Sequence, residues 1–287
     1  MIYLNGQFLP LEEARVPVLD RGFMFGDGVY EVIPVYGRRI FRLPQHIARL
    51  QASMDGIGLR NPHTPAQWSE LIGQVVALQS EADQSVYLQV TRGVAKRDHA
   101  FPADAVPTVL IMSGPLKTPS PELRERGVSA VSLADNRWLR CDIKSIALLG
   151  NVLLRQAAVA AGAAECVLLR DGFLTEGAAS NIFVVRQGVL LTPPKTNLIL
   201  PGITYDVVLD LARAGALEHE VRPVSEAEVR AADELMLTSS TREILPITSL
   251  DGIKVGSGIP GPVTRRLMQL FDRHKQDLQA AATVETA

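Results

Sequence analysis

A lysine and a glutamate frame the chemistry open to this chain. Lys144 stands at the mouth of a long apolar, alanine-rich segment, and Glu176 is an isolated acid between two strand-like runs. A desolvated ammonium is penalised relative to the neutral amine, so a half-buried lysine loses its proton easily and becomes a nucleophile toward aldehydes. Other residues suit anions. His46 and Arg49 lie three apart on one helical face. Gly202-Ile203-Thr204 opens a helix, where unpaired N–H groups and the dipole favour a phosphate. A helix dipole contributes only about 0.3–1 kcal/mol when exposed and up to about 2 when partly buried, so a dianion needs a side chain as well. A charge-assisted hydrogen bond from Arg49 would add about 1.5–3 kcal/mol, and its fork could grip phosphate with two donors. Taken singly, each of these residues is more often an ordinary surface or turn residue, and the strings that hold them carry the weight.

Three strings matter. Arg140-Cys141-Asp142-Ile143-Lys144-Ser145 is followed by Thr175-Glu176-Gly177-Ala178-Ala179-Ser180-Asn181, and near the start stands Asp20-Arg21-Gly22-Phe23-Met24-Phe25-Gly26-Asp27-Gly28-Val29-Tyr30-Glu31. Together they resemble the fold-type IV pyridoxal-phosphate enzymes, the family of D-amino-acid transaminases, branched-chain transaminases and aminodeoxychorismate lyase. The resemblance runs through residues 2–275. It implies that Lys144 carries pyridoxal 5'-phosphate as a Schiff base and shuttles a proton, and that Glu176 sits against the pyridine nitrogen. Arg49, Ile203, Thr204 and Thr241 would hold the phosphate. Arg97-Asp98-His99, downstream of Val90-Thr91-Arg92-Gly93, resembles the D-amino-acid branch. There the arginine and histidine come from a partner subunit and, with a tyrosine matching Tyr30, hold the substrate α-carboxylate.

The resemblance thus implies a homodimeric, two-domain mixed α/β transaminase with its active site in the interdomain cleft. It would move amino groups from D-alanine or D-glutamate to 2-oxoglutarate or pyruvate. The alternatives are a branched-chain-type transaminase, the carbon–carbon lyase, and a non-catalytic carrier of the cofactor. Ala178, Ala179 and Arg242 depart from the family pattern, and the stretch after Lys195 leaves the side-chain pocket unread.

Composition bounds the rest. A chain of 287 residues makes one large domain or two ordinary ones. Net charge −2 and a pI of 6.2 offer no basic stripe for nucleic acid and no polybasic membrane patch. The two cysteines, Cys141 and Cys166, and a start without a basic or apolar leader read as reduced and cytoplasmic. The apolar run at residues 146–154 is far short of the roughly 20 residues a bilayer span needs and reads as a buried helix. The five histidines show no metal-ligand spacing, and the cysteines form no C-x-x-C pair. Cys141 lacks a neighbouring histidine to activate it as a nucleophile.

The pattern predicts strands at residues 2–8, 29–36, 85–91 and 106–113, with Asn5-Gly6 as a hairpin turn, and helices at 44–54 and 64–77. Three prolines in residues 115–121 mark a linker, giving domains 1–114 and 123–287 joined by 115–122, with Lys144 in the larger, C-terminal one. The second half reads as strands at 128–133, 166–169, 181–185, 189–191 and 235–238. Its helices are expected at 145–162, 205–214 and 263–278, with a frayed tail at 279–287.

Overall fold

The computed structural model describes residues 1–284. It divides into two compact units, Met1–Leu116 with Ile143–Leu148, and Lys117–Asp142 with Leu149–Ala280.

The first unit is built on six antiparallel strands. They are β1 (Ile2–Leu4), β2 (Gln7–Leu9), β3 (Gly28–Tyr36), β4 (Arg39–Ile40), β5 (Gln84–Thr91) and β6 (Thr108–Pro115), in the order β2-β1-β6-β5-β3-β4. Its helices are α1 (Arg21–Phe25), α2 (Leu43–Gly56) and α3 (Pro65–Ala77). Strand alternation separates the two faces. Ile33, Val86, Leu88, Val90 and Ile111 turn to one side and are buried by Leu50 and Met54 of α2 and Trp68, Ile72 and Val75 of α3. Tyr30, Val32, Tyr87 and Gln89 turn to the other and stay half-buried. Thr64 starts α3 with a reciprocal capping box to Gln67.

Residues 145–148 were expected at the start of a helix, but they are not helical, and residues 144–146 pair along β3. Tyr30 N–H donates to the Lys144 carbonyl at 2.9 Å and Ile146 N–H to the Gly28 carbonyl at 3.0 Å, with Val29 and Ser145 bridged between them. Ile143 enters the same apolar core. These main-chain bonds put Lys144 in the first unit, whereas the sequence pattern placed it in a C-terminal domain.

The second unit holds α4 (Pro121–Arg126), β7 (Val128–Ala134), α5 (Leu149–Ala160), β8 (Glu165–Arg170), β9 (Phe173–Leu174), β10 (Asn181–Arg186) and β11 (Val189–Thr192). There follow α6 (Ile203–Ala214), β12 (His219–Val221), α7 (Glu226–Arg230), β13 (Glu234–Ser239), β14 (Glu243–Leu250), β15 (Ile253–Lys254) and α8 (Pro262–Val284). Its mixed sheet runs β12-β11-β10-β13-β14-β7-β8-β9, with β15 on β14. Ile182, Val184, Leu235, Leu237, Leu245 and Ile247 form its core. Three expectations change here. The proline-rich linker carries the short helix α4, started by Ser120, whose hydroxyl accepts from Leu123 N–H at 3.3 Å. Only Leu154 and Ala158 of α5 are buried, while Leu149, Val152 and Leu153 are exposed, so the apolar run is not a buried helix. The last helix continues through Val284 instead of fraying from residue 279, and the rest of that tail, residues 285–287, lies outside the described residues.

Gly93, two residues past the end of β5, sits at a close approach. It has φ +92°, and an added Cβ would lie 1.9 Å from the Val106 carbonyl oxygen. Gly188 has φ +82° with nothing within 4 Å. Gly93→Ala is therefore expected to cost at least about 2 kcal/mol, and Gly188→Ala only the backbone strain of about 1 kcal/mol. Urea unfolding checks this, and equal losses would mean that the Val106 approach imposes nothing.

Candidate active site

Glu31 lies on the apolar face of β3, opposite Leu88, and a carboxylate there must be paired to remain charged. The partners come from α2. Arg49 donates to it through Nε and Nη2, both at 2.8 Å, and His46 Nδ1 lies 2.7 Å away. Burial works against its ionisation, but the Arg49 charge and the bonds from Arg49 and His46 hold the Glu31 carboxyl far below the usual carboxylate range. The Nε–Nη2 edge of Arg49 is thereby committed, so the two-donor grip on phosphate expected of this arginine is not open along that edge.

The residue before it on β3 points the other way. Lys144 Nζ stands 4.1 Å from the centroid of the Tyr30 ring, and the Lys144 N–H donates to Ser53 Oγ at 3.1 Å. The ring face of a tyrosine attracts an ammonium by about 0.5–1 kcal/mol at exposed sites and more when desolvated. Tyr30 in turn rests on Tyr87, ring centroids 5.7 Å apart, and burial pushes the Tyr87 hydroxyl up to about 12.

Arg97 and His99 are exposed and gather on Phe25, Arg97 Cζ at 5.4 Å and the His99 ring at 5.5 Å. Their loop is held from beneath. Asp20 caps α1 by accepting from Gly22 N–H and also binds the hydroxyls of Thr91 and Thr108. This fixes Arg21, which donates to the Asp98 carbonyl at 2.6 Å and to Asp27 at 2.7 Å.

In the second unit Glu176 is buried and saturated with donors. Arg137 Nη1 reaches Oε1 at 2.5 Å, and Oε2 accepts from Asn181 Nδ2 at 3.1 Å and Leu200 N–H at 3.0 Å. Arg137 is clamped on its other edge by Asp135, at 2.9 Å through both Nε and Nη2, and Asp135 also meets Arg170 at 3.1 Å and the Thr175 hydroxyl at 2.8 Å. Glu165, fully buried, accepts from the Ala178 N–H and the Ser180 hydroxyl and so shapes the loop that carries Glu176. Burial pushes the Glu176 carboxyl up to about 7, with Arg137 and the Leu200 N–H pulling it down.

Asn181 ties this acid to the start of α6. Its amide donates to the Leu200 carbonyl as well as to Glu176, and its Oδ1 would lie 2.0 Å from a Cβ on Gly202, so only glycine fits there. Gly202 caps α6 without a side-chain bond, and a helix start of that kind, here the Ile203 and Thr204 turn, suits an anion. Thr241 is half-buried in the turn between β13 and β14, where Arg242 N–H donates to Ser239 Oγ at 3.1 Å. The buried Cys141 thiol is pushed up to about 11 by its burial, which keeps it protonated and unreactive.

Sequence reasoning missed Glu31, Asp135, Arg137 and Glu165. The one available signal was an acid at a core-facing position of a strand, as at Glu31, since the other three find their partners only through tertiary contacts.

Residues 28–250 match the family described as amino-transferase class IV. The chain is 44% identical over 266 residues to a D-alanine aminotransferase of Bacillus licheniformis, covering 93% of this chain and 94% of that one. The chain belongs to the class IV amino-transferases. A D-alanine aminotransferase of Staphylococcus epidermidis is 38% identical over 276 residues, 96% of this chain and 98% of its own. Among solved structures, the branched-chain amino acid aminotransferase of Escherichia coli superposes with a TM-score of 0.87 at 28% identity. That match covers 94% of this chain and 92% of that one.

In this class IV amino-transferase the raised Glu176 carboxyl has a consequence for stability. Its ordinary value of 4.5 rises to about 7 on folding, so its contribution is complete below about 4.5 and is lost as pH rises through about 7. At about 1.4 kcal/mol per unit this amounts to about 2–3 kcal/mol, which Glu176→Gln should remove. Denaturant titrations of the cofactor-free protein on either side of neutrality measure it. A pH dependence identical in wild type and variant would show that the carboxyl stays ionised throughout.

Proposed function

We propose that this chain is a pyridoxal-phosphate-dependent transaminase that moves the amino group of a D-amino acid, D-alanine or D-glutamate, to 2-oxoglutarate or pyruvate. The observation that carries the reading is Lys144 Nζ held over the Tyr30 ring on a strand-like segment bonded to β3, with the Arg97-Asp98-His99 loop ordered on the same unit. The near full-length likeness to D-alanine aminotransferases supports the D-amino-acid branch. The donor set fits the cofactor: an amine for its aldehyde at Lys144, a buried acid for its ring nitrogen at Glu176, and an uncapped helix start with Arg49 for its phosphate.

The bound cofactor supplies the aldehyde that receives the amino group and the ring that stabilises negative charge at the substrate α-carbon. Lys144 Nζ would hold the cofactor covalently and, once released, would hold and move a proton, with Tyr30 steadying the ammonium from its ring face. Glu176, oriented by Arg137 and Asn181, holds the ring nitrogen protonated. Ile203 and Thr204 would meet the phosphate with backbone N–H groups, and Thr241 would add a hydroxyl.

The enzyme works as a homodimer in the cytoplasm. Exposed Val18 and Phe23 on the first unit, and Leu149 and Leu153 on the second, are apolar surface of the kind a second copy covers. Arg97 and His99, exposed in the single chain, reach the partner's substrate and with Tyr30 clamp its α-carboxylate.

Incubation with D-alanine and 2-oxoglutarate tests the reaction: pyruvate formation is expected, against L-valine as donor and against 4-aminobenzoate production from aminodeoxychorismate. Conversion of the cofactor absorbance by D-alanine alone is also expected and would be missing from a non-catalytic carrier. Lys144→Ala should abolish turnover and leave no borohydride-reducible adduct on the chain, and an adduct that persists would place the linkage elsewhere. Arg97→Ala should raise KM for D-alanine by about ten- to a hundredfold, the equivalent of about 1.5–3 kcal/mol for a charged hydrogen bond, and affect a carboxylate-free amine such as 1-phenylethylamine far less. Equal losses on both substrates would remove Arg97 from the carboxylate site.

A further inference from the structure

Glu31, His46 and Arg49 form a buried set whose charges balance in one protonation state. Oε1 of Glu31 accepts from Arg49 Nε, and Oε2 is shared by Arg49 Nη2 and His46 Nδ1. An ionised carboxylate can only accept, so Nδ1 carries the hydrogen and a neutral ring leaves Nε2 as a lone pair. That Nε2 is fully buried and has no hydrogen-bond partner among the described residues. The charged groups that face His46 are Glu31 from β3, Arg49 from its own helix and Lys144 from the segment along β3. Burial, helped by Arg49 and Lys144, lowers its proton affinity despite Glu31.

We propose that His46 takes up a proton when a phosphate dianion occupies the site at Arg49, turning its orphaned Nε2 into a donor for the anionic end of the cofactor. This rests on the reading that Arg49 holds the phosphate. The positive charge of Arg49 is already matched by Glu31, so a dianion that enters meets Lys144 as the one further cation that faces His46, and one negative charge remains to be balanced. His46 is the member that can gain a charge, and Glu31 already accepts from the nitrogen an imidazolium would strengthen. The proton comes from solvent, goes to Nε2, and no covalent bond in the chain changes. Binding of a phosphate-bearing ligand is then linked to one proton, and affinity falls by up to tenfold per pH unit as pH rises through the bound-state value.

The test uses the cofactor-free enzyme with inorganic phosphate, so that lysine chemistry plays no part. Histidine labelled with 15N reports the protonation of His46 across neutral pH with and without phosphate, and the 31P linewidth reports binding independently. The pKa of His46 is expected to rise by about one unit or more when phosphate is bound. His46→Gln should still bind phosphate, with a pH dependence reduced to that of phosphate itself. Phosphate that binds while His46 stays neutral overturns the inference alone. Phosphate that fails to bind the wild-type enzyme overturns the reading of the site and the inference with it.

Discussion

A carboxylate on the apolar side of a sheet obliges its neighbours to come to it, and Glu31 sets much of the first unit in this way. Its two oxygens take three donors from α2, which fixes both the rotation of that helix over β3 and the direction of the Arg49 guanidinium. Because successive side chains of a strand point to opposite faces, the residue before it, Tyr30, is then aimed at the half-buried side, where Lys144 Nζ meets its ring. One strand thus orders a buried charged set on one face and places the Lys144 amine on the other. The cost of burying Glu31 is met by Arg49 and His46, and removing either partner would leave an uncompensated buried group.

The second unit uses the same device with more members. Asp135 and Glu176 are interleaved with Arg137 and Arg170, and every oxygen of the two acids is occupied. Arg137 is too tightly held by Asp135 to follow Glu176 if that carboxyl moved, which makes it a fixed reference for the acid. Glu165 plays the matching part for the backbone of residues 177–180. The chemistry assigned to Glu176 depends on a carboxyl whose orientation and proton affinity are set by groups that need never touch a substrate.

What the sequence made legible follows the range of the interactions. Strands with clear alternation, such as β5, and helices with local caps, such as α3, were readable because a few neighbouring residues decide them. The strings around Lys144, Glu176 and Tyr30 were readable because the chemistry needs several residue types close together in the chain. Residues 145–148 were misread as helix: their composition suits one, and the edge of β3, more than a hundred residues earlier, overrides it. The pairing of Arg49 with Glu31 was invisible for the same reason, since a register between strand and helix decides it.

The segment that carries Lys144 also completes a sheet. The edge of β3 facing away from β5 is occupied by β4 at Val35 and Tyr36, and by residues 144–146 at Gly28, Val29 and Tyr30. Without that segment the latter stretch would be a bare row of amides and carbonyls, a template for pairing with other chains. During synthesis the ribosome must therefore deliver residues well past the end of β6 before this edge closes. The loop to be closed is long, and such closures are slow relative to local ones. The same few residues that bring the Lys144 amine to Tyr30 thus also cover an edge that other chains could pair with, and a mutation that shortens or loosens the segment is expected to cost soluble yield.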